Sequence, residues 1–201
     1  METKLDTLTQ CLQRRLFVEA EASGRHVHLT KEQAQTLFGA ELTPVKELSQ
    51  PGQFAAKERV TIRGPKGELS HVAVLGPCRA LTQVEVSKTD ARVLGIDAPL
   101  RLSGDVKGTP GCTIVGPRGS VNAEEGVIVA KRHIHMSEED ARLQNVRDGE
   151  VVRLKMFTDR PVVFEDVAVR VHPQFRTAAH LDYDEANACG FQKGDLGMIL
   201  R

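Results

Sequence analysis

No tryptophan occurs in the 201 residues, tyrosine occurs once and phenylalanine seven times, so the chain lacks an aromatic platform on which single-stranded bases could stack. An excess of either charge is missing as well. Lys plus Arg total 27 and Asp plus Glu total 27, which leaves no basic field for a nucleic-acid backbone, and nucleic acid is not expected as a partner. Long apolar runs are also absent. The best candidates, such as Gly126 to Ala130, fall far short of the roughly 20 residues of a membrane-spanning helix, so no membrane partner is expected. Cys11, Cys78, Cys112 and Cys189 are scattered without a C-x-x-C pair, and the N-terminus shows no charged-then-apolar export signal. A reduced, cytoplasmic protein is expected. With so few aromatics the core must be built from Val, Leu, Ile and Ala, and a chain of this size can hide about 70% of its unfolded surface.

What the chain does contain is a duplication. R-H-V-H-L-T-K-E-Q-A, from Arg25, recurs as R-H-I-H-M-S-E-E-D-A from Arg132, 107 positions on. A second ungapped match sets the segment from His71 against the segment from Asp166, 95 positions on, with Val72, Ala73, Val74, Thr82 and Ala91 opposite Val167, Ala168, Val169, Thr177 and Ala186. That register puts Glu85 opposite His180 and Gly95 opposite Gly190. The drop from 107 to 95 makes the first copy 12 residues longer between its motifs, and Leu48 to Phe54 is the expected extra loop.

Short β-branched, partly alternating runs at Val60–Ile62, Val72–Val74, Val151–Leu154 and Val167–Val171 predict strands. G-P-K-G from Gly64, G-P-R-G from Gly116, Pro51-Gly52 and Ser103–Asp105 predict the turns between them. Many short strands with such turns suggest small closed barrels. Few helices are expected: one from the cap-like Thr30 over Lys31–Phe38, its repeat from Ser137 over Glu138–Leu143, and one at the N-terminus. The fold class is therefore mainly β, with an N-terminal amphipathic helix over 1–20 and two β-barrel domains over 21–120 and 121–201. In that helix Leu5, Leu8, Leu12 and Leu16 form one apolar stripe.

Alternate residues of an extended strand share a face, so His26 and His28 can converge on one ion, as can His133 and His135. A single H-x-H pair means little, because histidines are more often satisfied core or surface side chains. Two pairs in register, with the carboxylate of Glu85 matched by the imidazole of His180, favour metal ligation; a duplicated polar core motif is the alternative. The candidate sets are His26, His28 and Glu85, and His133, His135 and His180. Three N/O donors with a vacancy is the pattern of catalytic zinc, whereas structural zinc is closed by four ligands and rich in Cys. His71 and His172 have no matching histidine in the other copy and are expected to be ordinary polar side chains. Arg79 could grip an anion such as phosphate or form a surface ion pair, and Cys78 is expected to act as a small apolar residue. The two G-P-x-G turns do not fit nucleotide-loop patterns. From the residues alone, an acyl transferase, a dinuclear zinc hydrolase and a scaffold with structural metals all remain open.

The motifs R-H-V-H-L-T, L-S-Q-P-G-Q-F-A-A, G-P-K-G, V-L-G-P-C-R-A-L-T-Q-V-E-V-S-K-T-D, R-L-S-G-D, G-V-I-V-A-K-R-H-I-H-M-S and D-E-A-N-A resemble the PduL-type phosphotransacylases of bacterial microcompartments. The resemblance runs from about Glu21 to the C-terminus. It implies two β-barrel domains with a dinuclear zinc site and the reversible reaction of an acyl-CoA, typically propanoyl-CoA, with phosphate to give acyl phosphate and coenzyme A. By motif, it carries the zinc-ligand role to His26, His28, Glu85, His133, His135 and His180, and the phosphate-binding role to Arg79. Two departures are visible: A-S-G precedes the first R-H-V-H where a valine-rich lead is usual, and Tyr183 stands where Thr is usual. The N-terminal helix either packs on its own barrel or across a homo-oligomer, which is expected, or resembles the short helices that target cargo enzymes to a microcompartment shell.

Overall fold

A computed structural model of the chain describes residues 3–201; Met1 and Glu2, at the head of the expected N-terminal helix, lie outside the described residues. In chain order the elements are α1 (Lys4–Leu16), β1 (Val18–Ser23), β2 (His26–His28), α2 (Lys31–Phe38), β3 (Pro44–Glu47), β4 (Phe54–Arg63), β5 (Glu68–Gly76), β6 (Gln83–Glu85), α3 (Lys88–Leu94), β7 (Leu100–Arg101), β8 (Cys112–Val115), β9 (Ser120–Ala123) and β10 (Val127–Ala130). The second copy supplies β11 (His133–Met136), α4 (Glu138–Gln144), β12 (Val151–Phe157), β13 (Val163–Val171), β14 (Ala178–Asp182), α5 (Tyr183–Cys189) and β15 (Leu196–Leu200). The mainly-β expectation is met. Among the described residues no helix is long and apolar enough to cross a membrane.

Two compact units form, one from the described residues up to Ser23 together with Arg132–Arg201, the other from Gly24–Lys131. The first is a closed six-stranded barrel in the order β1-β14-β11-β13-β12-β15, and the second is a nine-stranded, curled sheet in the order β7-β10-β6-β2-β5-β4-β8-β9 with β3 beside β4. Apolar side chains close each of them: Val27, Leu29, Val60, Ile62, Val74 and Ile114 in the sheet, and Ile134, Met136, Leu154, Val167, Val169 and Leu181 in the barrel.

The unit boundaries differ from the expected cuts at 20/21 and 120/121, and the strand pairing shows why. β1, which precedes the first R-H-x-H motif, pairs with β14 and β15 of the second copy. β10, which precedes the second motif, pairs with β6 and β7 of the first. Each copy's leading strand thus belongs to the other copy's unit, so residues 18–23 join the barrel and 121–131 join the sheet. The helix expected over 1–20 ends at Leu16 for the same reason, since Val18 already hydrogen-bonds as strand.

The duplication is written in the register. His26 faces Ala73 in the parallel β2–β5 pair as His133 faces Ala168 in β11–β13; these are matched residues of the repeat. His71 and Asp166, also matched, both take a left-handed backbone with φ of 55°. Thr82 donates to Gln33 at 2.5 Å where Thr177 donates to Asp140 at 2.5 Å, and the Arg25–Asp90 ion pair recurs as Arg132–Glu185. The surplus in the first copy is the turn expected near Leu48–Phe54, closed by Leu48 N donating to Gln53 O at 3.0 Å, together with β3, which has no counterpart in the barrel.

The G-P-x-G turns hold helix ends. Lys66 N donates to Leu94 O at 3.0 Å at the end of α3, and Arg118 N donates to Leu37 O at 3.1 Å at the end of α2, satisfying carbonyls that a helix terminus leaves open. The approach is close enough to require glycine: a Cβ on Gly64 would stand 2.3 Å from Leu94 O.

Candidate metal centre

In each H-x-H strand the central residue enters the core and the flanking imidazoles face the other way; Val27 and Ile134 are both fully buried. In the sheet, β2 runs antiparallel to β6 with His26 opposite Glu85. His26, His28 and Glu85 each bring one donor atom to within 4.8 Å of the others. His26 Nδ1 lies 2.8 Å from the carbonyl of Gly24, and as donor to it leaves Nε2 facing Glu85 Oε2 at 3.5 Å. The His26 and His28 rings meet edge to face at 5.1 Å.

Burial disfavours charge on His26, but the Glu85 carboxylate beside it more than offsets this, so His26 holds a proton more strongly than usual. For Glu85 burial also opposes charge, and His26 together with His28 and Ser103 lowers its pKa below the usual carboxylate range. His28 is pushed down to about 3, by burial first and then by the charges on His26 and Arg79. It is a neutral imidazole with a lone pair to give, and its buried Nδ1 has no hydrogen-bond partner. A buried nitrogen of this kind is costly unless something else accepts its lone pair. A cation does so, and the donor chemistry of the set, two imidazoles and a carboxylate, suits zinc.

A residue outside the expected set holds Glu85 in place. Gln83, two positions away on the same face of β6 and 2% exposed, donates from Nε2 to Glu85 Oε1 at 2.6 Å and to Ser103 Oγ at 2.8 Å. Its Oε1 accepts from Gly104 N at 2.7 Å. The signal in the sequence is a second polar residue two positions before Glu85, hence on the same face of the strand. Arg79 follows β5, its N–H donating to Leu29 O at 2.8 Å just beyond β2, and its guanidinium is near enough to make protonation of both His26 and His28 less favourable.

The barrel assembles the second set the same way. β11 runs antiparallel to β14 with His133 opposite His180, and His133, His135 and His180 also converge within 4.8 Å. The His133 and His180 rings stack at 5.1 Å, and His135 meets them at 4.6 and 4.8 Å. Phe175 covers His135 with ring centroids 4.3 Å apart. Glu21 of β1, another residue not expected at the site, reaches His180 Nδ1 at 3.9 Å. His71 and His172 are exposed and join neither set, and Cys78 packs against the apolar core of the sheet.

Residues 19–192 match the sequence profile of the phosphate propanoyltransferases. The chain is 57% identical to the phosphate propanoyltransferase of Leptotrichia buccalis over 89% of its own length and 86% of that protein. Identity to the Listeria monocytogenes phosphate propanoyltransferase is 55%, over 92% of this chain and 87% of that one. With the Thermotoga maritima phosphate propanoyltransferase it is 50% over 98% and 95% of the two chains.

Proposed function

The chain belongs to the phosphate propanoyltransferase family, and we propose that it transfers an acyl group reversibly between coenzyme A and phosphate at two zinc ions, one for each of its two donor sets. The observation that carries this reading is the convergence of three N/O donors, in matched register, in both copies of the repeat. Three donors leave a coordination position for substrate, as catalytic sites require. Zinc, when bound, supplies positive charge for the thioester oxygen and for the departing thiolate.

The chain's own side chains do the rest. Gly24 O fixes the tautomer of His26, while Gln83 and Ser103 hold Glu85, so both donors are presented in one orientation. The Arg79 guanidinium grips phosphate through paired charge-assisted hydrogen bonds and aims it at the carbonyl carbon. Attack forms the C–O bond of the acyl phosphate and breaks the C–S bond; coenzyme A leaves as thiolate and takes a proton from solvent. No protein nucleophile is needed. Burial of the first set, with His28 2% and Glu85 7% exposed, keeps water from competing with phosphate.

A thiol-release assay with propanoyl-CoA and acetyl-CoA, with and without phosphate, tests the reaction. Release that requires phosphate and yields an acyl phosphate trappable as its hydroxamate is expected. Equal release without phosphate would make the chain a dinuclear zinc hydrolase.

The same reading extends to α1 and to a place inside a bacterial microcompartment. Thr3 and Asp6 form a reciprocal cap at its start, and its polar side is tied to α4: Arg14 pairs with Glu139 at 2.8 Å and with Asp140 at 2.7 Å. The leucine stripe faces solvent instead, with Leu5 70% and Leu16 48% exposed. An apolar face carried outward supports docking into a groove of a shell or cargo protein, or of another copy in a homo-oligomer. Deleting residues 1–17 is expected to leave phosphotransacylase activity in place and to abolish co-localisation of a tagged copy with the shell. Loss of folded, active enzyme on that deletion would assign the helix to the fold.

A further inference from the structure

The two donor sets differ in one respect: the sheet's set includes a carboxylate, Glu85, and the barrel's set has His180 at the matched position. The strands alongside compensate. In the sheet β10 lies parallel to β6 with Ile128 as the register partner of Glu85, and Ile128 is fully buried and apolar. In the barrel β1 lies parallel to β14 with Glu21 as the register partner of His180. Glu21 and Ile128 are themselves matched residues of the repeat, 107 positions apart. The carboxylate has changed strands between the copies, and each set keeps one.

We propose that Glu21 is a positioning residue of the barrel's metal set, accepting a hydrogen bond from the Nδ1–H of His180 and so leaving Nε2 for the ion. This rests on the reading of His133, His135 and His180 as zinc ligands. Glu21 Oε2 stands 3.9 Å from His180 Nδ1, and its side chain is 33% exposed. Closing the separation by about 1 Å brings the pair into hydrogen-bond range. The result is a carboxylate–histidine–metal arrangement, which fixes the ring and raises its basicity. It also gives the barrel's set the negative charge that Glu85 gives the sheet's.

The test is competition of the full-length, zinc-loaded chain against a chromophoric chelator, with Glu21→Ala, Glu21→Gln and the parent. In Glu21→Ala one of two zinc equivalents is expected to be lost at about 10- to 100-fold lower chelator concentration, the other being unchanged. Glu21→Gln, which keeps an acceptor oxygen without charge, falls between. His28→Ala, which retains only the barrel's ion, assigns the weakened equivalent. With cobalt in place of zinc, the visible bands of that ion shift in Glu21→Ala, while the metal-free proteins melt alike. Two equivalents held by Glu21→Ala as tightly as by the parent would overturn the role of Glu21 and leave the ligand reading intact. A parent chain whose barrel set takes up no metal would overturn the ligand reading, and the inference with it.

Discussion

His135→Ala is expected to lower phosphate-dependent thiol release by more than about 100-fold while the barrel stays folded. Loss of a residue that merely supports a metal ligand costs about 10- to 100-fold in affinity or activity, and loss of the ligand itself costs more. The core of the barrel consists of Ile134, Met136, Leu154, Val169 and their neighbours, none of which the substitution touches. His135 is only partly buried, so truncating it opens no large cavity. His28→Ala is expected to have the same effect on activity with a larger loss of stability, because His28 is 2% exposed and its removal leaves a hole of the kind that costs a buried site about 2–5 kcal/mol. Activity assays paired with thermal melts separate the two. A melting transition that collapses in step with activity for His135→Ala would mark the metals as structural.

Arg79→Ala is expected to raise the phosphate requirement about 10- to 100-fold and to leave the acyl-CoA requirement nearly unchanged. A charge-assisted hydrogen bond to an anion contributes about 1.5–3 kcal/mol, and its loss appears in the kinetic constant of the substrate it held. Arg79→Lys recovers only part of this, since a point charge cannot reproduce the planar fork. Initial rates measured against each substrate in turn decide the matter: a rise confined to acyl-CoA would remove Arg79 from the phosphate site.

Much of this was legible because the repeat carries pairing information. The 95- and 107-residue offsets aligned His26 with His133 and Glu85 with His180, and the strands pair in that register. Helix α2 is readable at both ends from Thr30 and Gly39, which cap it. The short helices α3 and α5 were not expected; their signals were the S-x-x-D of Ser87–Asp90 and the D-x-x-E of Asp182–Glu185, reciprocal caps that precede only seven helical residues each. β3 is exposed throughout and carries no alternation to betray it. The exchange of β1 and β10 between units was hidden for a different reason. A repeat in sequence shows which segments are equivalent, but which sheet edge a strand joins is settled by tertiary pairing. The role of Glu21 is hidden with it, because its proximity to His180 exists only once β1 joins the barrel.

Elemental analysis of protein prepared without chelator, paired with the activity of the same sample, tests the proposed zinc dependence most directly. About two zinc ions per chain are expected, one for each set of three donors; chelation should abolish phosphate-dependent thiol release and added zinc restore it. Full activity in a chain that holds no tightly bound metal would contradict it.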